Sequence, residues 1–193
     1  MSIGRVCIRP GALIFAALAI SFVDGVVLTP LFISAAAHEA GHILMISFCG
    51  AGVYRLELGF FGAAIGIRGE LSYGDEILCA LAGPMANLLL ALVTGRLGCR
   101  IWSGVNILLF AFNMLPFSVL DGGRALFMLT AKAAGPAAAE WAAIVADAAL
   151  LFVMALATGF LYARAAAGPF SLSVSALFLL MCLSRVRTAA GSR

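Results

Sequence analysis

The chain consists of long apolar runs that are separated by short polar or glycine-rich segments. A helix that crosses a lipid bilayer needs roughly 20 predominantly apolar residues. We therefore predict six transmembrane helices, over residues 11–28, 31–49, 76–95, 103–130, 142–162 and 169–183. Pro30 lies between the first two runs and predicts a sharp turn there, because proline lacks the N–H that a continuous helix needs. The expected fold is an all-α polytopic membrane protein, in one domain over residues 1–193.

The segment 53–72 has a different pattern. Apolar residues alternate with polar or small ones on both sides of Gly62. Alternation with a period of two around a glycine turn is typical of an amphipathic β-hairpin. We predict such a hairpin at the inner membrane surface, with an irregular loop as the alternative.

Composition supports a membrane protein. Hydrophobic residues make up 64% of the chain and charged residues 11%, whereas a soluble domain carries about 25% charged residues. The chain therefore has too little polar surface to be water-soluble. This composition argues against three other classes of protein, namely nucleic-acid-binding proteins, disordered chains and secreted disulfide scaffolds. Arg5 and Arg9 before the first run also fit a cleaved signal, but the rest of the chain is too apolar for a secreted domain. The five scattered cysteines are expected to be reduced and buried.

The charge distribution predicts the orientation in the cell membrane. Cytoplasmic loops carry an excess of Lys and Arg. With six spans and both termini inside, nine of the twelve Lys and Arg residues are cytoplasmic, and Arg96, Arg100 and Arg164 are outside. We therefore expect a multi-pass protein with cytoplasmic N and C termini.

The second apolar run contains both histidines of the chain in the sequence His38-Glu39-Ala40-Gly41-His42. On a helix, residues four apart differ by about 40° in direction and lie one turn apart. His38 and His42 can therefore bind one zinc ion, and Glu39 can reach a water on that ion. The alternative is a pair of histidines that hydrogen-bond between helices. Polar groups at this depth of a bilayer are costly, which favours a functional role.

A third metal ligand must come from elsewhere in the chain, because hydrolytic zinc sites have three protein ligands and one open position. Asp121 lies within a helix-breaking segment, Asn113–Arg124, and broken backbone inside a membrane is tolerated where it is buried in protein or lines a cavity. We favour Asp121 as the ligand, and a capping box from Ser118 to Asp121 is the alternative. Asp24 is interpreted as a helix-end residue, and Asp147 as a polar contact inside the bundle, to an Arg or Asn.

Three motifs in order resemble the site-2 protease family of intramembrane zinc metalloproteases, peptidase family M50. They are HEAGH at 38–42, AGPMAN at 82–87, and Asn-x-x-Pro-x-x-x-Leu-Asp-Gly at 113–122. The resemblance covers residues 34–124. It implies a catalytic core over about 31–130, a hairpin that presents substrate, and helices five and six over about 142–183. Six spans without a PDZ insert resemble the branch of sporulation factor FB, and we expect this chain to lack that branch's C-terminal CBS domain.

The resemblance implies a zinc-dependent metalloendopeptidase that cuts transmembrane or membrane-associated proteins. His38, His42 and Asp121 would hold one Zn²⁺, and Glu39 would be the catalytic base. Asn113 would donate to the substrate backbone, or else satisfy groups of its own broken helix. Gly83 is interpreted as allowing close helix packing, and Asn87 as structural. Release of a transcription factor or sigma factor is an expected role, in which a regulatory membrane partner could take part.

Three other functions are compatible with parts of the pattern. An intramembrane zinc transporter would need His or acidic residues along a path on both sides of the site. A membrane-anchored protease acting in water would need its HExxH motif outside the lipid. A catalytically inactive scaffold would be expected to have lost Glu39 or a metal ligand.

Overall fold

The computed structural model describes residues 5–59 and 62–163, and within them six helices and three strands. The helices are α1 Pro10–Phe22, α2 Gly25–Phe48, α3 Tyr73–Arg96, α4 Arg100–Asn113, α5 Asp121–Ala134 and α6 Pro136–Ala163. The strands are β1 Arg5–Ile8, β2 Gly52–Gly59 and β3 Gly62–Arg68. The sixth predicted span, 169–183, lies outside the described residues.

Helix α3 is the centre of the bundle, because α2, α4 and α5 all pack against it. Small residues allow the closest approach. A Cβ added to Gly41 on α2 would lie 2.8 Å from the carbonyl oxygen of Ala82 and 3.1 Å from Ala86 Cβ on α3. This close contact brings the middle of α2 directly against the middle of α3.

Three of the described helices are long and apolar enough to cross a membrane, and they are Gly25–Phe48, Tyr73–Arg96 and Pro136–Ala157. The predicted fourth span, 103–130, is instead two helices, α4 and α5, of 14 residues each. Each is only about 21 Å long at about 1.5 Å per residue. The segment 114–120 between them is the break that the sequence predicts.

Two predicted boundaries are wrong. The turn expected at Pro30 is absent, because α2 runs through this proline. The chain instead breaks before α2, where the Asp24 carboxylate accepts the N–H of Val26 at 3.1 Å and caps the helix. Helix α6 begins at Pro136, six residues before the predicted start at 142, because Gly135 has a φ of 89° and proline suits the first turn of a helix.

The predicted hairpin is present as the antiparallel pair β2 and β3. Its inner face carries Val53, Ile65 and Ile67, which pack with Ile46 of α2 and Cys79 of α3. The hairpin is therefore fixed against α2 and α3.

A third strand, which the sequence analysis missed, completes the sheet. Strand β1 pairs in parallel with β2, from Arg5 beside Arg55 to Ile8 beside Leu58. The buried carboxylate of Glu57 pairs with the guanidinium groups of Arg9 and Arg55. The N-terminal segment therefore covers the outer edge of β2.

The cysteines are only partly as predicted. Those in the described part of the chain are reduced, but only Cys79 is buried, while Cys7 and Cys99 are exposed. Cys7 lies on the outer strand β1, and Cys99 lies in the short connection between α3 and α4.

Candidate metal centre and active site

The three predicted metal ligands converge in the structure. Nε2 of His38 lies 3.0 Å from Oδ2 of Asp121, and Nε2 of His42 lies 3.3 Å from the same oxygen. The two Nε2 atoms are 3.1 Å apart. The histidines come from adjacent turns of α2, and Asp121 is the first residue of α5. Among the described residues, this is the one cluster of three His, Cys, Asp or Glu side chains with metal-binding spacing.

Hydrogen bonds on the far side of the rings determine what the cluster can bind. Nδ1 of His42 lies 2.7 Å from the carbonyl oxygen of Cys79. A carbonyl can only accept, so Nδ1 carries the proton and a neutral ring presents its Nε2 lone pair to the cluster. Nδ1 of His38 lies 2.6 Å from Oδ1 of Asn87, which fixes the same tautomer. Two nitrogen lone pairs and a carboxylate oxygen therefore face one another.

This donor set fits zinc. Two imidazole nitrogens and one carboxylate are an established ligand set for a catalytic zinc site. Ligand atoms about 2.0–2.2 Å from a tetrahedral ion lie roughly 3.3–3.6 Å from one another. The observed separations of 3.0, 3.1 and 3.3 Å are close to this range. Without a cation or a proton between them, the three atoms would repel one another.

Gly83 on α3 lies directly against both rings. A Cβ added at this position would lie 2.8 Å from Nε2 of His38 and would collide with Nε2 and Cε1 of His42. Gly83, predicted from the sequence to be a helix-packing residue, forms the wall of the cluster. Only glycine therefore leaves room for the two nitrogen atoms.

Glu39 lies between the histidines on α2 and is half-buried. Its Oε1 accepts the N–H of Ala63 at 3.2 Å, at the start of β3. A cavity of about 380 Å³ opens beside this contact and is lined by Ala63, Asp121 and Arg124, together with other residues of 118–127. The candidate ligand Asp121 and the hairpin thus meet at one cleft, and the candidate base Glu39 adjoins it through its hydrogen bond to Ala63.

Two glycines place Asp121 in this cleft. A Cβ on Gly122 would collide with the backbone of Met114 and lie 2.8 Å from the carbonyl oxygen of Leu115. A Cβ on Gly123 would collide with the backbone of Phe117. Because neither residue has a Cβ, α5 can start directly against the 114–118 segment.

Asp147 makes a polar contact inside the bundle, as predicted. Its carboxylate accepts the backbone N–H of Ser118 at 2.9 Å and the Ser118 hydroxyl at 2.8 Å. A contact to an Arg or Asn stays a prediction. The capping-box alternative for Ser118 and Asp121 is wrong, because the cap residue of α5 is Leu120 and no side chain caps that helix. Asp147 therefore holds the segment that leads to Asp121.

Asn113 ends α4 and is half-buried. Its Nδ2 donates to the carbonyl oxygen of Leu109 at 3.0 Å, one turn earlier in the same helix. This contact favours the alternative in which Asn113 satisfies its own helix, and its role toward a substrate stays a prediction.

A set of polar residues that was not predicted from the sequence lies behind His38. Asn87, Asn106 and Ser34 are fully buried and hydrogen-bonded to one another. Asn87 was interpreted as structural only. Its position four residues after Gly83 places both on one face of α3, and this spacing could have linked Asn87 to the metal cluster.

The fold matches a solved structure. The structure titled Site-2 Protease from Methanocaldococcus jannaschii superimposes with a TM-score of 0.67 over 92% of this chain and 88% of that chain, at 21% sequence identity. The chain has the site-2 protease fold. This result confirms the fold that the three motifs imply, and it does not test the resemblance to the sporulation factor FB branch.

Sequence comparison finds relatives with a matching description. Two proteins of Mycobacterium tuberculosis, from strains Erdman and H37Rv, are each named "Putative zinc metalloprotease Rip3" and are 32% identical over 110 residues. The match covers 49% of this chain and 28% of each relative, so the chain spans about a quarter of the length of these proteins. No protein-family model matches the chain.

Proposed function

We propose that the protein is an intramembrane zinc metalloprotease that hydrolyses peptide bonds of transmembrane or membrane-associated polypeptides. The observation that carries the proposal is the convergence of His38, His42 and Asp121 beside Glu39. The two histidines and Glu39 lie on α2, a helix long and apolar enough to cross a membrane. The site-2 protease fold and the zinc metalloprotease name of the relatives support the same activity.

Each residue has an assigned role. His38, His42 and Asp121 would hold the zinc ion. When bound there, zinc would supply a Lewis acid that lowers the pKa of a coordinated water toward about 7 and polarises a carbonyl. Because Oε1 of Glu39 accepts the Ala63 N–H, we assign Oε2 to the proton of the attacking water. Glu39 then returns this proton to the leaving amine.

The β3 edge of the hairpin is the proposed place for the substrate. Strand β1 covers the β2 edge of the hairpin, and in the described part of the chain β3 pairs with no strand other than β2. The N–H of Ala63 points to Glu39, away from β2, and alternation along a strand directs the N–H groups of Ile65 and Ile67 to the same side. A substrate segment added to this edge would be extended, with its carbonyls released from helical hydrogen bonds. It would lead directly into the cleft at Glu39.

Asn113 completes the proposed set as a donor to the substrate backbone. It lies at the end of α4, eight residues before Asp121, where the 114–120 segment begins. One of its two amide N–H groups is bonded to Leu109, and the second is the group assigned to the substrate.

The proposed topology has six spans with both termini in the cytoplasm. It is supported by the distribution of Lys and Arg in the sequence and by the three described helices that can cross a membrane. In this orientation the hairpin and the start of α5 face the cytoplasm, and a cut beside Glu39 releases its product inward. Such release would suit the liberation of a membrane-tethered regulator.

The structure gives less support to the alternatives. A zinc transporter needs successive ligand clusters along a path, and the described part of the chain has one. An inactive scaffold has no need of Glu39 beside three convergent ligand atoms. A protease acting in water does not fit either, because the HExxH motif lies within α2.

The proposal can be tested in cells. Wild type and Glu39→Gln are expressed separately in a strain that lacks the native gene, and new protein N-termini in the membrane fraction are compared. The matched control is Glu140→Gln, because Glu140 is exposed on α6. We expect fragments that occur with wild type and Glu140→Gln but not with Glu39→Gln. The same fragments in all three strains would refute the proposal.

A further inference from the structure

Behind His38 lie three polar side chains with no exposed surface, one from each of the three packed helices α2, α3 and α4. Ser34, Asn87 and Asn106 are all 0% exposed. Asn87 Nδ2 donates to the Ser34 carbonyl oxygen at 3.1 Å and to Asn106 Oδ1 at 2.9 Å. Asn106 Nδ2 donates to the Ser34 hydroxyl at 2.8 Å and to the Trp102 carbonyl oxygen at 2.9 Å.

Backbone carbonyls fix the direction of every bond in this network. The Trp102 carbonyl can only accept, so the amide nitrogen of Asn106 must face it and Oδ1 must face Asn87. Asn87 then meets two acceptors, Asn106 Oδ1 and the Ser34 carbonyl, and both require its Nδ2. Its Oδ1 is left to face His38, which must donate from Nδ1.

The direction matters for metal binding. If the Asn87 amide were reversed, its N–H would point at Nδ1 of His38, and the ring proton would move to Nε2. That proton would point into the cluster and remove the lone pair that a metal ion needs. The orientation of one amide therefore decides whether His38 is a ligand.

We propose that Asn106, on a helix that supplies no metal ligand, is a positioning residue of the metal centre and acts through Asn87 to hold His38 in its ligating tautomer. The inference rests on the proposed zinc site. His42 is fixed separately, by the Cys79 carbonyl on α3. The effect of Asn106 should therefore be confined to one of the two histidines, and this separates positioning from general stability.

The first test is the zinc dissociation constant, measured by competition with a chelator on the purified chain in detergent. Asn106→Leu removes one of the two acceptors of Asn87 Nδ2, and we expect zinc to bind about tenfold more weakly, as for other losses of outer-shell partners. In Asn106→Asp one carboxyl oxygen still accepts from Asn87, and the protonated second oxygen of this buried acid can donate to the Trp102 carbonyl. This variant should therefore restore affinity to within about threefold of wild type on the same scale. If Asn106→Leu does not fold, Asn106→Ser, which lacks the amide, carries the same expectation.

The matched control is Ser103→Ala. The Ser103 hydroxyl donates to the Ala91 carbonyl oxygen at 2.9 Å, so it also joins α4 to α3, but it lies outside the network. Its loss should leave zinc affinity unchanged. Equal weakening by Ser103→Ala and Asn106→Leu would show that Asn106 acts only through helix packing, and would overturn the inference.

The second test uses the fact that the chain has only two histidines. Zinc-loaded protein labelled with ¹⁵N-histidine should give two Nδ1–H signals. The His38 signal is assigned as the one that changes in Asn87→Leu. In Asn106→Leu, the Nδ1 proton of His38 should exchange faster with solvent. The Nδ1 proton of His42, which is held by the Cys79 carbonyl, should exchange at the wild-type rate. Two unchanged signals, or equal changes in both, would contradict the inference. Neither test measures hydrolysis, so the absence of proteolysis would refute the proposed function alone.

Discussion

Backbone carbonyls and amide groups control the chemistry of single residues at this site. The Cys79 carbonyl and the Asn87 amide oxygen each hold a ring proton on the side away from the cluster. The Nε2 lone pairs of His38 and His42 therefore point at Asp121. The two Nε2 lone pairs and the Asp121 carboxylate repel one another unless a cation or a proton lies between them. The three residues are therefore best suited to hold a metal ion.

Asp121→Asn should weaken zinc binding by more than the roughly 10- to 100-fold typical of outer-shell changes, because it weakens a proposed direct ligand. Proteolysis should be lost with it. Zinc content and cleavage are measured in parallel with Asp24→Asn and Asp147→Asn, which remove a helix cap and a contact to Ser118. Normal cleavage by Asp121→Asn, together with loss in either control, would show that the third ligand is a different carboxylate.

Gly83→Ala should abolish zinc binding, because the new methyl group would occupy the space of the His38 and His42 nitrogens. Gly104→Ala is the matched control, since an added Cβ there meets nothing within 4 Å. Elemental analysis of both purified variants checks the expectation. Full zinc occupancy in Gly83→Ala would mean that α3 lies farther from the histidines than described.

At the residue scale, spacing made the two histidines predictable, since i and i+4 share a helix face whatever the tertiary fold. Asp121 was predictable because helix-breaking residues precede it. The hydrogen bonds of Asn106 were not predictable, because a single asparagine in an apolar helix has no local sequence pattern that reveals its partners. The contact of Asp147 with Ser118 was not predictable for the same reason.

At the scale of elements, the segments between the helices position the residues of the site. The interruption at 114–120 starts α5 at Asp121, and the hairpin brings the Ala63 N–H to Glu39. Strand β1 covers the β2 edge of the hairpin, so the opposite edge, on β3, is the one proposed for a substrate.

Ile65→Pro should lower kcat/KM by roughly five- to tenfold, because it removes an outward N–H that is proposed to bind the substrate, and one such bond contributes about 1 kcal/mol. Ile65→Ala is the control, since it removes the packing of the side chain but keeps the N–H. Zinc content should be normal in both variants. Equal loss of activity in both would attribute the effect to packing against Ile46 and Val53, and would contradict the edge proposal.

The hairpin was predictable from its alternation, but β1 was not, because four residues are too few to show a period and the pairing with β2 is distant in sequence. The turn expected at Pro30 failed for a physical reason. The Asp24 cap supplies a stronger start signal, and a helix inside a bundle can continue through proline.

At the scale of the whole molecule, orientation decides where the product goes. The expected cytoplasmic face carries the hairpin and the start of α5, and the expected outer face carries the α3–α4 connection at Cys99. Hydrophobic content alone predicted a membrane protein. The path of water to Glu39 depends on how α2, α3 and α5 pack, which no local pattern encodes.

Topology can be measured by cysteine labelling in intact cells, in a background that retains Cys99 but lacks the other four native cysteines. Cys99 is exposed and should react with a membrane-impermeant reagent. A cysteine at Glu70, which is exposed just after β3, should react only after the cells are made permeable. The reverse pattern would overturn both the orientation and inward release.

The central claim is that Glu39 acts on water while the other three residues hold zinc. The most direct measurement is cleavage of a substrate, identified from the cellular fragments, by purified protein in liposomes, with zinc content determined on the same samples. We predict about one zinc per chain in both wild type and Glu39→Gln, with cleavage by the wild type alone. Cleavage by Glu39→Gln at the wild-type rate, or a wild type that cleaves without zinc, would contradict the account.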